Sequence, residues 1–330
     1  MIRIGINGFG RIGRYVTRIA LDSEDIEISL VNDLSDIHTL AHLLKYDSIH
    51  RTLKHNFIIE GNQLIFENGK SITFVSCPQP NDIPWSDTNI DFIIESTGKF
   101  VSRELASQHK ISLNQKIIIS APTTSVDIPT IVLGVNENTL SGSEKIISNA
   151  SCTTNNAAPM IKVMKELCSI EGCFISTVHS YTTDQHLHDS PHRDLRRARA
   201  AAQSIVPTST GAAKAIVHIF PELHDRLGGG SVRVPVADGS LTEITIFTED
   251  VLSIEQINNA MKLASDTTLK GILAYTEDPI VSVDIIGNPN SCVFDAKLTS
   301  IVGKMIKIVG WYDNEAGYSN RLIDLARHLH

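Results

Sequence analysis

The sequence predicts an α/β fold with two domains, the first built on a parallel sheet and the second on an antiparallel or mixed sheet. The chain has 330 residues, which is more than one hydrophobic core usually serves. A strand, a glycine-rich turn, a helix and a second strand follow one another at its start. Beyond residue 152 the predicted strands become longer and fewer helices separate them.

The composition is that of an ordinary globular chain, with 42% hydrophobic and 20% charged residues. A formal net charge of −8 argues against nucleic acid as a partner. No apolar run approaches the roughly 20 residues of a membrane span, and the first residues lack a signal-peptide layout. The five cysteines are dispersed without a C-x-x-C pair, so we expect no disulfide framework, no metal site and a cytoplasmic location.

The elements of the first half follow from changes in hydrophobic period. Residues 2–7 alternate as a strand, residues 8–23 change to a helical period, and residues 26–33 return to a strand. This strand–helix–strand unit predicts a right-handed crossover in a parallel, Rossmann-type sheet. Further strands are predicted at 71–76, 91–97, 116–122 and 130–136.

The second half begins with a predicted helix near 153–168 and continues into a β-branched strand, "CFISTVHSYTTDQ". A basic loop follows, and then long strands within 231–250 and 304–314, with one helix between them at 254–266. The last stretch reads as a closing helix. We therefore predict one domain of residues 1–151 plus 315–330 and a second, α+β domain of residues 152–314.

The segment "GFGRIG" places Gly8, Gly10 and Gly13 in the G-x-G-x-x-G spacing of a dinucleotide-binding turn. The first glycine permits a tight turn, the second lets the backbone approach a pyrophosphate, and the third allows close helix–strand packing. Asp33 ends the second strand 20 residues after Gly13, where a carboxylate accepts hydrogen bonds from a ribose diol and repels a 2′-phosphate. The first domain is therefore predicted to bind NAD in preference to NADP.

A thiol, Cys152, lies in "SNASCTTN" at the start of the predicted helix. The positive end of a helix dipole stabilises an anion, which predicts a lowered thiol pKa and a nucleophilic thiolate. His179, at the end of the next strand, is the candidate proton acceptor, although one cysteine and one histidine in a sequence often never meet. The second domain is therefore the predicted catalytic domain.

The second half also carries arginines and hydroxyl-rich turns that suit phosphate, in "RRAR" (196–199), "PTSTG" (207–211) and Arg233. The alternative is that some of these arginines are surface residues paired with acids such as Asp194. A thiol, an NAD site and two anion sites together indicate oxidation of a phosphorylated aldehyde through a thioester. The histidines of "HLHDSPH" (186–192) lack the spacing of metal ligands and are taken as loop residues.

Segments along nearly the whole chain, among them "INGFGRIGR", "SNASCTTN", "HSYTTDQ", "PTSTGAAKA" and "WYDNEAGYSNR", are similar to motifs of one enzyme family, in family order. They resemble the phosphorylating glyceraldehyde-3-phosphate dehydrogenases. The resemblance implies oxidation of glyceraldehyde 3-phosphate with NAD and inorganic phosphate to 1,3-bisphosphoglycerate, a step of glycolysis and gluconeogenesis. It also implies a Cys152 thioester, assistance by His179 and a homotetramer.

The resemblance further implies roles for residues at matching positions. Backbone N–H groups of Arg11 and Ile12 would hold the pyrophosphate and Asp33 the adenosine ribose, while Ser120 and Asn314 would lie near the nicotinamide. Thr182, Asp184 and Arg233 would hold the substrate phosphate, and Ser151, Thr153, Arg197, Thr210 and Gly211 the attacking phosphate.

The chain departs from the family pattern at several positions. Asn156 stands where a second cysteine is common, and Pro78 where an arginine beside the adenine is expected. Ala316 stands where the family commonly has a tryptophan, so we expect a local loss of burial. Pro191 resembles the NAD-specific form, whereas Ser190 would also suit a chain of dual cofactor specificity.

The nearest alternative is erythrose-4-phosphate dehydrogenase, which shares the Cys–His chemistry but tends to differ around "HSYTTDQ" and "WYDNEAGY". Aspartate-semialdehyde dehydrogenase has a similar two-domain plan but lacks the "PTSTGAAKA" pattern. A hypothesis of another class is an NAD-binding protein with a mainly adhesive or nucleic-acid-contacting role. Nothing in this acidic sequence marks such a role.

Overall fold

The computed structural model describes all 330 residues and divides the chain into two compact units. The first unit comprises Met1–Ile131, Glu137–Ala150 and Ser319–His330, and the second comprises Val132–Asn136 and Ser151–Tyr318. The predicted boundaries of functional domains stay a prediction.

The first unit is a Rossmann-type arrangement of strands and crossover helices. Its elements, numbered along the chain, are β1 (Ile2–Asn7), α1 (Arg11–Asp22), β2 (Ile26–Asn32), α2 (Ile37–Lys45), β3 (Tyr46–Asp47), β4 (Arg51–Thr52), β5 (Phe57–Glu60), β6 (Gln63–Phe66), β7 (Ser71–Val75), β8 (Phe92–Glu95), α3 (Arg103–Ala106), β9 (Lys116–Ile119) and β10 (Ile146–Ser148).

Eight of these strands form one sheet in the order β10-β9-β8-β1-β2-β7-β6-β5. The first six run parallel, and β6 and β5 continue the sheet antiparallel. Ile4, Ile6 and Ile93 in the central strands are completely buried, as expected for a parallel sheet covered on both faces. The predicted Rossmann-type fold is confirmed. The carboxyl ends of β1, β2 and β8 therefore meet at one edge of the sheet, where a dinucleotide binds in such folds.

Two of the differences from the sequence prediction concern strands of the first unit. The sequence prediction does not include the hairpin β5/β6, which turns at Gly61 with a φ of +59°. The predicted strand at 130–136 is wrong, because only Thr130 forms a bridge, to Ser148, and the chain then turns at Gly134 with a φ of +79°. The apolar residues of that segment are buried in a turn, and burial alone does not distinguish a buried turn from a strand.

The second unit contains one long helix followed by a strand-rich region. Its elements are α4 (Cys152–Leu167), β11 (Gly172–Ser180), β12 (Val206–Thr208), α5 (Ala212–Ile219), β13 (Leu227–Val234), β14 (Ser240–Phe247), α6 (Ile254–Asp266), β15 (Leu273–Thr276), β16 (Cys292–Asp295), β17 (Ser300–Val302), β18 (Met305–Tyr312) and the start of α7 (Ala316–Leu329), whose residues from Ser319 onward belong to the first unit.

The sheet of the second unit has the order β12-β13-β11-β14-β18-β16-β15, with β17 paired to β18. Its β11–β13 and β15–β16 pairs are parallel and the other pairs antiparallel, so the predicted antiparallel or mixed sheet is confirmed. The α+β class follows from this sheet and the helices packed on it. None of the seven α-helices combines the length and apolarity that crossing a membrane requires.

Candidate active site

The glycine turn between β1 and α1 has the geometry that its spacing predicts. Gly8 has a φ of +93°, and a Cβ at Gly13 would overlap the carbonyl oxygen of Gly8. Nothing lies within 4 Å of a Cβ position at Gly10, so the backbone there is open to a ligand. The hydrogen bonds of α1 begin with Arg14 N–H to the Gly10 carbonyl, which leaves the N–H groups of residues 11–13 outside the helix ladder.

Asp33 follows β2 directly and lies beside this turn. Its carboxylate accepts hydrogen bonds from Phe9 N–H at 2.8 Å and Ser35 N–H at 3.0 Å, and it remains partly exposed. A fixed carboxylate next to an open backbone turn at a helix N-terminus is the donor and acceptor set that an NAD molecule needs. Ser120 directly follows β9, on the same parallel sheet, and its N–H donates to the Glu95 carbonyl.

The side chain of Arg11 is held by an ion pair that does not involve the backbone of the glycine turn. Its guanidinium forms two hydrogen bonds with Asp47, at 2.6 and 3.1 Å. The Asp47 carboxylate also accepts from the backbone N–H groups of Ile49 and His50. Although burial opposes the shift, these bonds hold the pKa of Asp47 at about 2. The residue after the second glycine of the turn is thus fixed by an acid 36 positions away.

The second unit brings Cys152 and His179 together. Cys152 is the first residue of α4, and the helix is capped by the Ser151 hydroxyl, which accepts from Thr154 N–H at 3.1 Å. His179 is the penultimate residue of β11, and its Nε2 lies 3.5 Å from the Cys152 sulfur. The thiol therefore has a base within reach and helix N–H groups beside it.

The other ring nitrogen of His179 also has hydrogen-bond partners. In the tautomer with the proton on Nδ1, this nitrogen donates to the Ser180 carbonyl oxygen at 2.7 Å and the Nε2 lone pair faces the thiol. The Arg233 guanidinium lies 2.8 Å from the same nitrogen and donates to the same carbonyl. A fixed positive charge thus borders the candidate base.

Burial determines the resting protonation of this pair. It raises the pKa of the Cys152 thiol, and this effect exceeds the opposite pull of Arg233 and of the Thr153 N–H. It also lowers the pKa of His179 to about 3, with Arg233 adding to that shift. The expected lowering of the thiol pKa is therefore wrong for this structure, because desolvation outweighs the charge of Arg233 and the hydrogen bonds from Thr153 and the Cys152 backbone. At neutral pH the pair is a thiol beside a neutral imidazole, which accepts a proton as sulfur attacks.

The predicted anion-site residues fall into two groups. Arg233 on β13 pairs in register with His179 on β11, and its Nη1 lies 3.5 Å from Thr182 Oγ1. Arg197 forms an ion pair with Asp184, and its Nε donates to Thr208 Oγ1 at 2.8 Å. Asp184, predicted for the substrate-phosphate site, thus contacts Arg197 of the attacking-phosphate site. A carboxylate pairs with an arginine more readily than it binds a phosphate.

The remaining predicted residues lie outside these two groups. The Thr210 hydroxyl accepts from Ala212 N–H at 3.1 Å, and Gly211 precedes α5 without a side-chain cap. The histidines of segment 186–192 include one close ring pair, His186 and His192, whose ring centroids are 5.8 Å apart. The Thr153 hydroxyl is engaged by Tyr312 at 2.9 Å.

Sequence reasoning missed three side chains around the pair. The Tyr312 ring packs edge-on against His179 with centroids 5.9 Å apart. Ser180 and Ser240 both donate to the side-chain oxygen of Asn314, each at 2.8 Å. The only available signal was their position in "HSYTTDQ", "DGS" and "WYDN", next to predicted site residues or at strand ends.

Comparison with known proteins agrees with this geometry. Residues 151–314 match the family model for the glyceraldehyde 3-phosphate dehydrogenase C-terminal domain, and residues 2–103 match the model for its NAD binding domain. The chain is 49% identical to glyceraldehyde-3-phosphate dehydrogenase of Geobacillus stearothermophilus, over 99% of the chain and 98% of the relative. This chain belongs to the glyceraldehyde-3-phosphate dehydrogenase family.

Other relatives agree equally well along their full length. Glyceraldehyde-3-phosphate dehydrogenase 1 of Bacillus cereus is 47% identical over 100% of the chain and 98% of the relative. Glyceraldehyde-3-phosphate dehydrogenase 2 of Streptomyces avermitilis is 50% identical over 98% of the chain and 97% of the relative. The predicted membership of this dehydrogenase family and NAD as its cofactor are thereby confirmed.

Two departures from the glyceraldehyde-3-phosphate dehydrogenase pattern lie at buried positions. Asn156 is fully buried in α4, and its amide donates to the Trp311 carbonyl at 3.2 Å, whereas a thiol is only a weak donor. Ala316 is also completely buried. The expected loss of burial relative to a tryptophan at this position stays a prediction.

Proposed function

We propose that this chain oxidises glyceraldehyde 3-phosphate with NAD and inorganic phosphate to 1,3-bisphosphoglycerate. One observation carries the proposal: the Cys152 sulfur lies 3.5 Å from His179 Nε2, at the first residue of a capped helix. The full-length similarity to named glyceraldehyde-3-phosphate dehydrogenases supports this substrate over erythrose 4-phosphate and over a purely adhesive or nucleic-acid-contacting role.

In the proposed first step the Cys152 sulfur bonds to the aldehyde carbon while His179 Nε2 accepts the thiol proton. The N–H groups at the start of α4 stabilise the oxyanion that forms. The imidazolium stands next to Arg233 and is therefore a strong acid, which readily returns its proton to the oxyanion. The result is a neutral hemithioacetal and a regenerated base.

The same base removes the hemithioacetal hydroxyl proton in the oxidation step. NAD, when bound, supplies the acceptor for the hydride that leaves this carbon. His179 thereby drives collapse to a thioester on Cys152. Inorganic phosphate then bonds to the thioester carbon, the carbon–sulfur bond breaks, and the sulfur recovers its proton from His179.

The anion-binding groups orient both phosphates in this proposal. Arg233 with Thr182 borders the Cys–His pair and suits the substrate phosphate, whereas Arg197 with Thr208 suits the attacking phosphate. Asp184 orients Arg197. The other proposed ligands are Gly8, Gly10, Arg11, Ile12, Gly13, Asp33, Ser120 and Asn314 for NAD, and Ser151, Thr153, Thr210 and Gly211 for inorganic phosphate.

We further propose the domain assignment 1–151 plus 315–330 for NAD binding and 152–314 for catalysis. The chain divides into two compact units near residue 150, which supports this assignment, and so do the family matches to residues 2–103 and 151–314.

Five free cysteines support a cytoplasmic location. Exposed apolar side chains on one sheet of the second unit, Phe174, Phe247 and Met305, support a homotetramer. Light scattering of the purified protein tests that state.

The test of function is NADH formation from glyceraldehyde 3-phosphate and NAD, with and without inorganic phosphate, in the wild type and in Cys152→Ser. We expect sustained turnover only with phosphate, and a loss of at least about 10³-fold in the variant, because an alcohol at this position is a far weaker nucleophile. A preference for erythrose 4-phosphate would overturn the substrate. Turnover that survives in Cys152→Ser would overturn the mechanism.

A further inference from the structure

The strand order of the first unit places the crevice of its sheet between β1 and β8. The chain runs from β1 through β2 to β7 on one side, and from β8 through β9 to β10 on the other. In open sheets of this kind a ligand binds outside the carboxyl ends of the strands at which the order reverses. β1 ends at Asn7 and β8 at Glu95, and these two residues are paired in register, so they form the floor of the crevice.

The floor residues are joined through their side chains, although both are buried. Asn7 is 2% exposed and Glu95 is 1% exposed. The Asn7 amide donates to Glu95 Oε2 at 2.6 Å, and the Asn7 oxygen accepts from the amide of Asn32, at the end of β2, at 2.8 Å. Asn32 in turn accepts from Cys77 N–H at 2.7 Å. One line of hydrogen bonds therefore crosses the ends of three strands and reaches the segment after β7.

Glu95 is also bound from the side of the hydrophobic core. Trp85 Nε1, which can only donate, lies 3.0 Å from His109 Nδ1, so this nitrogen accepts and the ring proton is on Nε2. His109 Nε2 lies 3.0 Å from Glu95 Oε2, and both of these side chains are 0% exposed. Trp85 itself belongs to a core cluster that includes Ile93 and Ile117. His109 thus holds the carboxylate from behind, in an orientation that the indole fixes.

Glu95 in turn sets the backbone of the segment that follows β8. Its Oε1 accepts from the Thr97 N–H group at 2.9 Å and from the Thr97 hydroxyl. The Thr97 hydroxyl oxygen accepts from Lys99 N–H at 3.1 Å. Together with Asn7 and His109 on Oε2, this gives each carboxylate oxygen two donors, which suits an ionised group that can only accept.

The segment that Glu95 fixes lies directly on the glycine turn. A Cβ added to Gly8 would lie 2.8 Å from Thr97 N and 3.0 Å from the Ser96 carbonyl carbon. The Ser96 hydroxyl also donates to the Gly8 carbonyl at 2.7 Å. A displacement of segment 96–99 would therefore move the turn whose free N–H groups face the pyrophosphate in folds of this kind.

We propose that Glu95 and His109 are positioning residues for the cofactor, which hold segment 96–99 and the glycine turn in their binding geometry before NAD binds. The proposal rests on the NAD site of the proposed function and not on its substrate. When the binding-competent arrangement of a site is only partly populated, the apparent Kd rises by the inverse of that population. Loss of the His109 contacts should therefore weaken every ligand that carries the ADP-ribose part of NAD.

The first test is titration calorimetry with ADP-ribose, which is NAD without its nicotinamide. For His109→Leu, which loses both hydrogen bonds of the ring, we expect the Kd to rise about tenfold. His109→Gln should bind within about threefold of the wild type, because its amide can donate to Glu95 and accept from Trp85 as the imidazole does. Ile117→Ala is the matched control, since it removes a completely buried side chain of the same core cluster outside the hydrogen-bond network, and it should change the Kd by less than about twofold.

Glu95→Gln covers the case in which His109→Leu does not fold. It keeps the shape of the side chain but turns an NH₂ group toward two of the four donors, so ADP-ribose binding should again weaken about tenfold. Unchanged binding in this variant would overturn the proposal. Equal weakening in His109→Leu and Ile117→Ala would also overturn it, because lost stability alone would then account for the effect. Equal weakening in His109→Leu and His109→Gln would contradict the role assigned to the donor and acceptor directions.

Amide hydrogen exchange in the ligand-free protein provides a second readout. The Thr97 N–H should be protected before any ligand is added, and it should exchange at least about tenfold faster in His109→Leu but not in Ile117→Ala. Protection that appears only after ADP-ribose is added would overturn the proposal, because the ligand would then order the segment. If the wild type bound ADP-ribose and NAD without oxidising glyceraldehyde 3-phosphate, the proposed function would fail, and these binding and exchange comparisons would still decide the role of Glu95 and His109.

Discussion

The glycine turn and the Cys–His centre are built in opposite ways. The turn needs residues close in sequence, Gly8 to Gly13, and one acid directly after the next strand, and their contacts arise from a single βαβ unit. The Cys–His centre joins residues 27 to 159 positions apart through the register of β11, β13, β14 and β18. A site made of backbone groups is therefore encoded locally, whereas a site made of side chains depends on how distant strands pair.

The largest effect should come from the assembled centre. For His179→Gln we expect kcat to fall about 10²- to 10⁴-fold, because a neutral amide cannot accept the thiol proton. Single-turnover NADH formation measures the loss, and binding of ADP-ribose serves as the control for folding. A decrease of less than about tenfold would mean that another group removes the proton.

The affinity of the glycine-turn site for its cofactor should depend on the Asp33 carboxylate. Asp33→Asn should raise the Kd for NAD about tenfold or more and lower the Kd for NADP, because the negative charge that accepts from the ribose and repels a 2′-phosphate is gone. Titration with both cofactors measures this pair of opposite changes. Weakening of both cofactors together would instead point to a disturbed turn.

Acid should destabilise the assembled centre through His179. Its pKa falls from 6.5 in the unfolded chain to about 3 in the folded chain, so the unfolded chain binds the proton first as the pH decreases. The stabilising contribution of the buried neutral ring is complete above pH 6.5 and is lost between there and pH 3. pH 5 is 1.5 units below the pKa of this histidine in the unfolded chain, and the loss of unfolding free energy there amounts to about 2 kcal/mol.

Chemical denaturation at pH 8 and pH 5 measures this loss, with His179→Gln as the comparison. The wild type should lose about 2 kcal/mol more than the variant over this range. Equal losses would show that other groups account for the acid sensitivity.

The smallest effect is predicted for backbone packing in the turn. Gly13→Ala should cost about 1–3 kcal/mol of unfolding free energy, because its Cβ meets the Gly8 carbonyl oxygen, which belongs to the backbone and cannot move aside freely. Gly10→Ala is the matched control for stability, since nothing lies within 4 Å of the added Cβ. Thermal unfolding of the two variants compares them, and equal melting temperatures would contradict the packing argument.

Much of the fold was predictable because it rests on short-range patterns. The unit β1–α1–β2, the helix 254–266 and the strand at 305–312 follow from hydrophobic period. The wrong strand at 130–136 and the missing hairpin β5/β6 have one cause, since an apolar or alternating run does not specify its pairing partner. The incorrect prediction of the Cys152 pKa has a different cause, because a helix start can be recognised in a sequence whereas the depth of burial cannot.

The α/β class, the dinucleotide turn with Asp33, and the identity of the nucleophile and its candidate base can be predicted from the sequence, because they depend on residue type and local spacing. The tertiary structure was needed to show that Cys152 and His179 meet, that their resting forms are neutral, and that Asp184 contacts Arg197. It alone placed Ser180 and Ser240 on Asn314. The physical reason is that hydrogen-bond geometry and desolvation arise from strand register and packing between distant segments.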